Sequence, residues 1–220
     1  MSSEASFFQS VYMWMFGGLI TSAIIALMIY NSSFRFFMLQ QRGMMIAVFI
    51  VQVGLVFLIG YLLKTATTNL IRALFFVYAG SMGITISLLL VIYPQNVIFK
   101  AFFTTAIVYG GLAVYGLVTK RSLERWGTFL FMALWGLLAS IIINFFTKSV
   151  MFDYVISWVG VIVFAGLTAY DHQKLRVIHA GGFGSGEEEQ KAIIMGAMEL
   201  YIDFVALFIY IVRILGAGRD

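Results

Sequence analysis

The stretch AIIMGAMELYIDFVALFIYIVRIL, residues 192–215, is apolar enough to enter a lipid bilayer, yet it carries Glu199, Asp203 and Arg213. Its longest uncharged run, residues 204–212, is far shorter than the roughly 20 apolar residues of a lipid-facing helix. A carboxylate that faces acyl chains costs about 3 kcal/mol or more on insertion scales, so this helix needs polar partners or other helices around it. The stretch therefore predicts a charged helix inside a bundle of membrane-spanning helices.

The composition of the whole chain also indicates a membrane protein. Of its 220 residues 62% are hydrophobic and only 11% are charged, and the mean hydropathy is +0.98. Soluble proteins carry about 25% charged residues, so we expect an integral membrane protein. The absence of cysteine excludes disulfides and thiolate metal sites. The formal charge of +4 is ordinary for loops that anchor membrane helices and gives no argument for nucleic acid.

Apolar runs recur along the chain at a spacing that predicts seven transmembrane helices in a single domain, residues 1–220. Windows of about 20 residues place the spans near residues 11–30, 43–63, 73–93, 101–118, 126–146, 154–171 and 192–215. Because no Lys or Arg precedes the first run, we interpret it as a retained span rather than a signal peptide. Between the last two spans lies a polar segment whose glutamates, residues 187–189, we interpret as part of a solvated loop.

Lys and Arg residues are shared unequally between alternate connections, which predicts the orientation of the chain. The side of the N-terminus has eight of them, and the other side has four, or six if the last helix crosses with Arg213 and Arg219. This asymmetry favours a cytoplasmic N-terminus. The residues counted on the first side are Lys64, Arg72, Lys120, Arg121, Arg125, Lys174, Arg176 and Lys191, and those on the second are Arg35, Arg42, Lys100 and Lys148.

Small residues stand close together at three places within the apolar runs. These are Gly17 with Gly18, Ala79 with Gly83, and Gly110 with Gly111. Small side chains allow membrane helices to approach closely, so we expect helix packing there rather than chemistry.

Asp171 and Asp203 are the candidate functional residues. If their carboxylates approach, burial and mutual repulsion both disfavour two negative charges, so the pair would share a proton and could sense pH. A doubly ionised pair would also be an all-oxygen site suited to Ca²⁺, so protons and cations would compete there. The pairing has a condition. Because Asp203 lies deep in its span, the sixth helix must continue past Asp171, through residues 173–177, or the seventh must begin well inside the cytoplasmic face.

Two other kinds of site are disfavoured by the sequence. His172 and His179 could share a helical face, but two histidines without a third ligand make a weak metal site. Tyr170 and Asp171 resemble the YD motif of intramembrane aspartyl proteases, whose second aspartate stands in a GxGD motif. Asp203 instead stands in LYIDF, which disfavours a protease.

Three segments resemble the Bax inhibitor-1 family, also called the transmembrane Bax inhibitor motif family. TAYDHQKLR, residues 168–176, resembles the AYDxQ segment of its sixth helix. GAMELYIDFVALFIYIVRILG, residues 196–216, resembles its last helix with an LYxDF core, and FVYAGSMGITIS, residues 76–87, resembles its glycine-rich third helix. With seven spans in matching order, the resemblance covers nearly the whole chain.

The resemblance implies a bundle in which six helices surround a charged seventh, and a leak pathway for Ca²⁺ that a paired-aspartate sensor opens or closes. By motif those aspartates are Asp171 and Asp203, which are also the candidate Ca²⁺ site. The family uses an arginine to latch the first aspartate. Here Lys64 or Arg72 stands nearest to its place, and Glu199 is a candidate for the pathway.

We therefore predict a pH-sensitive, Ca²⁺-permeable leak channel, without cofactor or enzymatic activity, in a bacterial inner membrane. Its partners would be membrane lipids, Ca²⁺ and protons, with a membrane protein partner as a further candidate and no nucleic acid. Two alternatives stay open. One is a non-transporting interaction protein that modulates a membrane protease or stress response, and the less favoured one is an intramembrane aspartyl protease.

Overall fold

The computed structural model describes residues 3–40 and 42–217, and every regular element in this part of the chain is an α-helix. Six of the helices are long and apolar enough to cross a membrane by length and composition, and α3 contributes a shorter apolar stretch, Ile46–Leu62. The prediction of an all-helical protein with membrane-spanning helices is confirmed at this level. The helices are α1 (Ser3–Tyr30), α2 (Phe34–Gln40), α3 (Arg42–Leu62), α4 (Thr68–Ile92), α5 (Gln95–Val118), α6 (Glu124–Thr147), α7 (Val150–Ala180) and α8 (Gly186–Ala217).

The helices end where the backbone chemistry requires it. Tyr93 is extended, with φ −107° and ψ 140°, as expected for the residue before Pro94, and α4 therefore ends at Ile92. Lys148 closes α6 in the left-handed region with φ 52°. Ser149 then begins α7, because its side-chain oxygen accepts a hydrogen bond from the backbone N–H of Phe152.

The polar segment at residues 171–191 is mostly helical, which differs from the sequence prediction. Helix α7 continues to Ala180 and α8 begins at Gly186, so only residues 181–185 connect them. Ser185 accepts from the backbone N–H of Glu188, whose carboxylate accepts from that of Gly184. This arrangement is close to a capping box. The interpretation of residues 187–189 as a loop was wrong, because they lie in the first turn of α8.

A short helix also lies within the first predicted connection, residues 31–42. Helix α2 covers Phe34–Gln40, and Arg35 fixes its start by donating a hydrogen bond of 2.7 Å from Nη1 to the carbonyl oxygen of Tyr30. Arg219, which entered the charge count, lies outside the described residues.

The helices form two compact units, and the first consists of the described residues of Met1–Pro94 and Gly182–Tyr201. Within it α4 packs against α1 and α3. Ser22 Oγ lies 2.7 Å from the carbonyl oxygen of Ala79 and 2.5 Å from the hydroxyl of Tyr201. A Cβ atom at Gly18 would press on the ring of Phe75, and one at Gly83 would press on the backbone of Ser22. Close helix approach is confirmed at these two glycines.

The second unit consists of Gln95–Gly181 and the described residues of Ile202–Asp220. Helix α7 packs against both α5 and α6. The close approach is made at Gly116, where a Cβ atom would overlap the carbonyl oxygen of Ala169 on α7. At Gly110 and Gly111 an added Cβ atom would meet no described atom within 4 Å, so the packing role predicted for this pair was wrong. The prediction of one domain over residues 1–220 stays a prediction.

Candidate functional site

Asp171 lies on α7 and is buried, with 8% of its surface exposed. Its carboxylate oxygen Oδ1 is 4.0 Å from Nζ of Lys174, one helical turn further along. Because α7 continues for nine residues after Asp171, about 14 Å of helix follows it. The condition that the sequence set for a deep Asp171 is therefore fulfilled.

Asp203 lies on α8 and is 2% exposed, which makes it more deeply buried than Asp171. Its neighbours in sequence, Phe204 and Val205, are buried as well. An ionised carboxylate at such a position is costly in a membrane unless polar partners or other helices surround it.

The segments that carry the two aspartates meet at one aromatic ring. The ring of Tyr109, on α5, makes an edge contact with His172 at a centroid distance of 5.6 Å and another with Phe204 at 5.3 Å. His172 directly follows Asp171, and Phe204 directly follows Asp203. The structure thus brings the two acidic segments to the same level of the second unit.

The two histidines have separate places on α7. His172 is fully buried, and its Nδ1 lies 2.6 Å from the carbonyl oxygen of Thr168. His179 is half-buried in the last turn. Among the described residues no group of three or more His, Cys, Asp or Glu side chains could hold a metal ion.

The candidate latch and pathway residues lie in the first unit. Lys64 is exposed in the turn between α3 and α4. Arg72 is half-buried on α4, where its guanidinium lies 5.2 Å from the ring centre of Trp14 and donates a 2.9 Å hydrogen bond to Oε1 of Gln190. Glu199 is half-buried on α8, one turn before Asp203.

Helix α7 holds the turn between α5 and α6, residues 119–123, through two side chains that the sequence did not single out. Gln173 is 8% exposed, its Nε2 donates to the carbonyl oxygen of Arg121 at 2.9 Å, and its Oε1 accepts from the N–H of Leu123 at 2.7 Å. Arg176 donates to the carbonyl oxygens of Leu117 and Thr119. The only sequence signal for Gln173 was its place in the AYDxQ segment.

The opposite end of the second unit carries a different polar cluster. Arg213 Nη1, on α8, lies 3.3 Å from Oδ1 of Asp153 at the start of α7. The same carboxylate oxygen lies 3.4 Å from Nδ2 of Asn144. Both charged side chains are partly exposed, at 32% and 44%. The structure therefore pairs Arg213, one of the charged residues of the last predicted span, with Asp153.

Comparisons with known proteins place the chain in a family. The family model described as inhibitor of apoptosis-promoting Bax1 matches residues 4–220. An inner membrane protein of Escherichia coli, YbhL, is 34% identical over 97% of this chain and 92% of its own length. An uncharacterized protein of Borreliella burgdorferi is 33% identical over 97% of this chain and 93% of its own length. An uncharacterized protein of Lactococcus lactis is also 33% identical, over 98% of this chain and 93% of its own length. The chain therefore belongs to the Bax inhibitor-1 family.

Proposed function

We propose that the protein is a pH-sensitive, Ca²⁺-permeable leak channel, gated by protonation of Asp171 and Asp203. The observation that carries this proposal is the pair of buried carboxylates on two segments that meet at Tyr109. Two like charges in a low-dielectric interior raise each other's affinity for protons, so a change of pH changes the charge of the pair. Carboxylate oxygens are also the ligands that Ca²⁺ prefers, which gives a permeating cation a reason to compete with the proton.

The proposed architecture has seven spans, with α8 at the centre. The 21 residues of α3 reach about 31 Å, which is long enough for the hydrocarbon core of a bilayer. In the most apolar window of α8, 56% of the residues are buried, compared with 11% in that of α6. This difference supports α8 as the inner helix. The YbhL name and the Lys and Arg asymmetry support a bacterial inner membrane and a cytoplasmic N-terminus.

The proposed gate has two states. In the closed state the aspartates share a proton and a basic group holds them; when this arrangement breaks, the pathway opens past the acidic residues. Lys64 and Arg72 are the holding groups suggested by the family resemblance. Lys174 is a third candidate, because its ammonium is already 4.0 Å from Asp171. Glu199 would line the pathway one turn before Asp203.

The test is Ca²⁺ flux into proteoliposomes that contain the purified protein, measured from about pH 6 to pH 8. We expect wild-type flux to change with pH and expect Asp171→Asn and Asp203→Asn each to flatten that change. Asp153→Asn is the matched control, because it removes a half-exposed carboxylate at the other end of the same unit. Its pH response should equal that of the wild type.

The same experiment separates the alternatives. If folded wild-type protein gives no flux above empty liposomes at any pH, the channel is wrong and an interaction protein for a membrane protease or stress factor takes its place. For that protein, both asparagine variants should keep partner binding. A protease would require both aspartates and would leave a cleaved substrate in the membrane.

A further inference from the structure

The turn between α5 and α6 has unsatisfied backbone groups at both of its sides. The last carbonyl oxygens of a helix and its first N–H groups have no partner within the helix. Leu123, the residue before α6, makes no side-chain cap of its own. Within the turn, Thr119 and Ser122 accept from the backbone N–H groups of Arg121 and Glu124. The further side-chain partners of this turn come from α7.

Gln173 and Arg176 supply these partners. The amide of Gln173 uses both its donor and its acceptor on the turn, at Arg121 and Leu123. Arg176 places its positive charge on the carbonyl oxygens at the end of α5, where the helix dipole favours a cation. We name these four hydrogen bonds the α7 clasp.

The clasp lies on the side of α7 that points away from Asp171. At 100° per residue, Gln173 is about 160° and Arg176 about 140° around the helix from Asp171. The backbone near Asp171 is also closely packed, since a Cβ atom at Gly116 would overlap the carbonyl oxygen of Ala169 and press on His172. A movement of α7 that displaces Asp171 must therefore carry the turn with it or break the clasp.

We propose that Gln173 is a positioning residue, which through the α7 clasp fixes the α5–α6 turn and holds Asp171 in the closed state. That Gln173 holds Asp171 in the closed state rests on the proposed channel function. That Gln173 fixes the α5–α6 turn does not, because this concerns only hydrogen bonds within the second unit.

The first experiment measures the turn itself by limited trypsin digestion in detergent. The carbonyl that trypsin attacks after Arg121 is the one held by Gln173, so cleavage there requires the clasp to open. When opening and closing are fast, cleavage follows the population of the open form. We expect Gln173→Ala to raise the rate after Arg121 about tenfold, equivalent to about 1.4 kcal/mol. Val177→Ala is the matched control, because Val177 is a 63% exposed neighbour on the same helix.

The second experiment measures Ca²⁺ flux through the same variants in proteoliposomes. We expect Gln173→Ala to raise the flux about tenfold at the pH where the wild type conducts least, since the same 1.4 kcal/mol would be lost from the closed state. Gln173→Glu keeps the acceptor for Leu123 and loses the donor to Arg121, so its flux should lie between that of the wild type and that of Gln173→Ala. Val177→Ala should conduct as the wild type does.

Each outcome decides one part of the proposal. Cleavage after Arg121 that is no faster in Gln173→Ala than in the wild type overturns the clasp. A conducting wild type whose pH profile is unchanged in Gln173→Ala overturns the positioning role and leaves the channel intact. A wild type that does not conduct overturns the channel, and with it the role of Gln173 in the closed state, while the digestion still decides whether the clasp holds the turn.

Discussion

The two ends of the second unit are held together by different kinds of polar contact. At the end near Asp171, side chains of α7 bond to backbone groups of the α5–α6 turn. At the other end, Asp153 bonds to Arg213 and to Asn144 through partly exposed side chains, and Asn144 also accepts from the backbone N–H of Ser149. A backbone partner cannot turn away without bending the chain, whereas a side-chain partner can rotate into solvent. The comparison indicates that the end near Asp171 is fixed and that the other end is adaptable.

The largest expected effect tests this difference through glycines. An Ala at Gly116 meets the backbone of α7, whereas an Ala at Gly160 meets a side chain, the ring of Tyr210. Overpacking costs typically 1–3 kcal/mol, so we expect Gly116→Ala to lose about 3 kcal/mol and Gly160→Ala about 1 kcal/mol. Thermal unfolding in detergent measures both, with about 2–4 °C of Tm per kcal/mol for a chain of this size.

Gly110→Ala is the control for this series, since its Cβ atom meets no described atom within 4 Å. It should unfold at the wild-type temperature or slightly above, because Ala favours helix over Gly. Equal losses for Gly116→Ala and Gly160→Ala would remove the contrast between a rigid and an adaptable end.

A smaller effect is expected from the two arginines that serve these ends. Arg176→Ala leaves carbonyl oxygens at the end of α5 without their charged donor, which should cost about 2 kcal/mol. Arg213→Ala breaks a partly exposed ion pair and should cost about 0.5 kcal/mol. Hydrogen exchange of the α5–α6 turn provides the second readout. It should accelerate in Arg176→Ala alone, and acceleration in both variants would contradict the assignment of the clasp to one end.

The smallest effect concerns the ion pair between Asp153 and Arg213. Because both side chains are partly exposed and Asn keeps the shape of Asp, Asp153→Asn should lower stability by less than about 0.5 kcal/mol. High salt should reduce this difference, since at 1 M the screening length falls to about 3 Å. Thermal unfolding of the wild type and of Asp153→Asn at low and high salt measures this stability difference. A loss that is large and independent of salt would show that this end is as firmly fixed as the other.

The sequence predicted the helical class and the two aspartates, but it ended the sixth span at Asp171. Hydropathy falls there because the following residues, from His172 to Arg176, are polar or charged apart from Leu175. The helix nevertheless continues, and there Gln173 and Arg176 bond to the α5–α6 turn, which lies more than 50 residues earlier in the chain. A local window cannot show such a partner.

The start of α8 could have been found. Ser185 and Glu188 have the spacing of a capping box, and this local signal precedes the apolar run. The packing of the glycines could not have been found in the same way. Gly116 and Gly110 both lie in the apolar run of α5, and only the position of α7 distinguishes the one that is crowded.

The polarity of α8 also has a consequence for how the protein is made. Helix α8 is the last described helix to leave the ribosome, and it carries Glu199, Asp203 and Arg213. When the translocon releases a helix into lipid, an aspartate or arginine at the centre of the span makes insertion about 2.5–3.5 kcal/mol less favourable. Helices synthesised earlier offer it buried neighbours, such as Phe75 for Tyr201 and Tyr109 for Phe204. We therefore expect integration of α8 to depend on the helices that are already in the membrane.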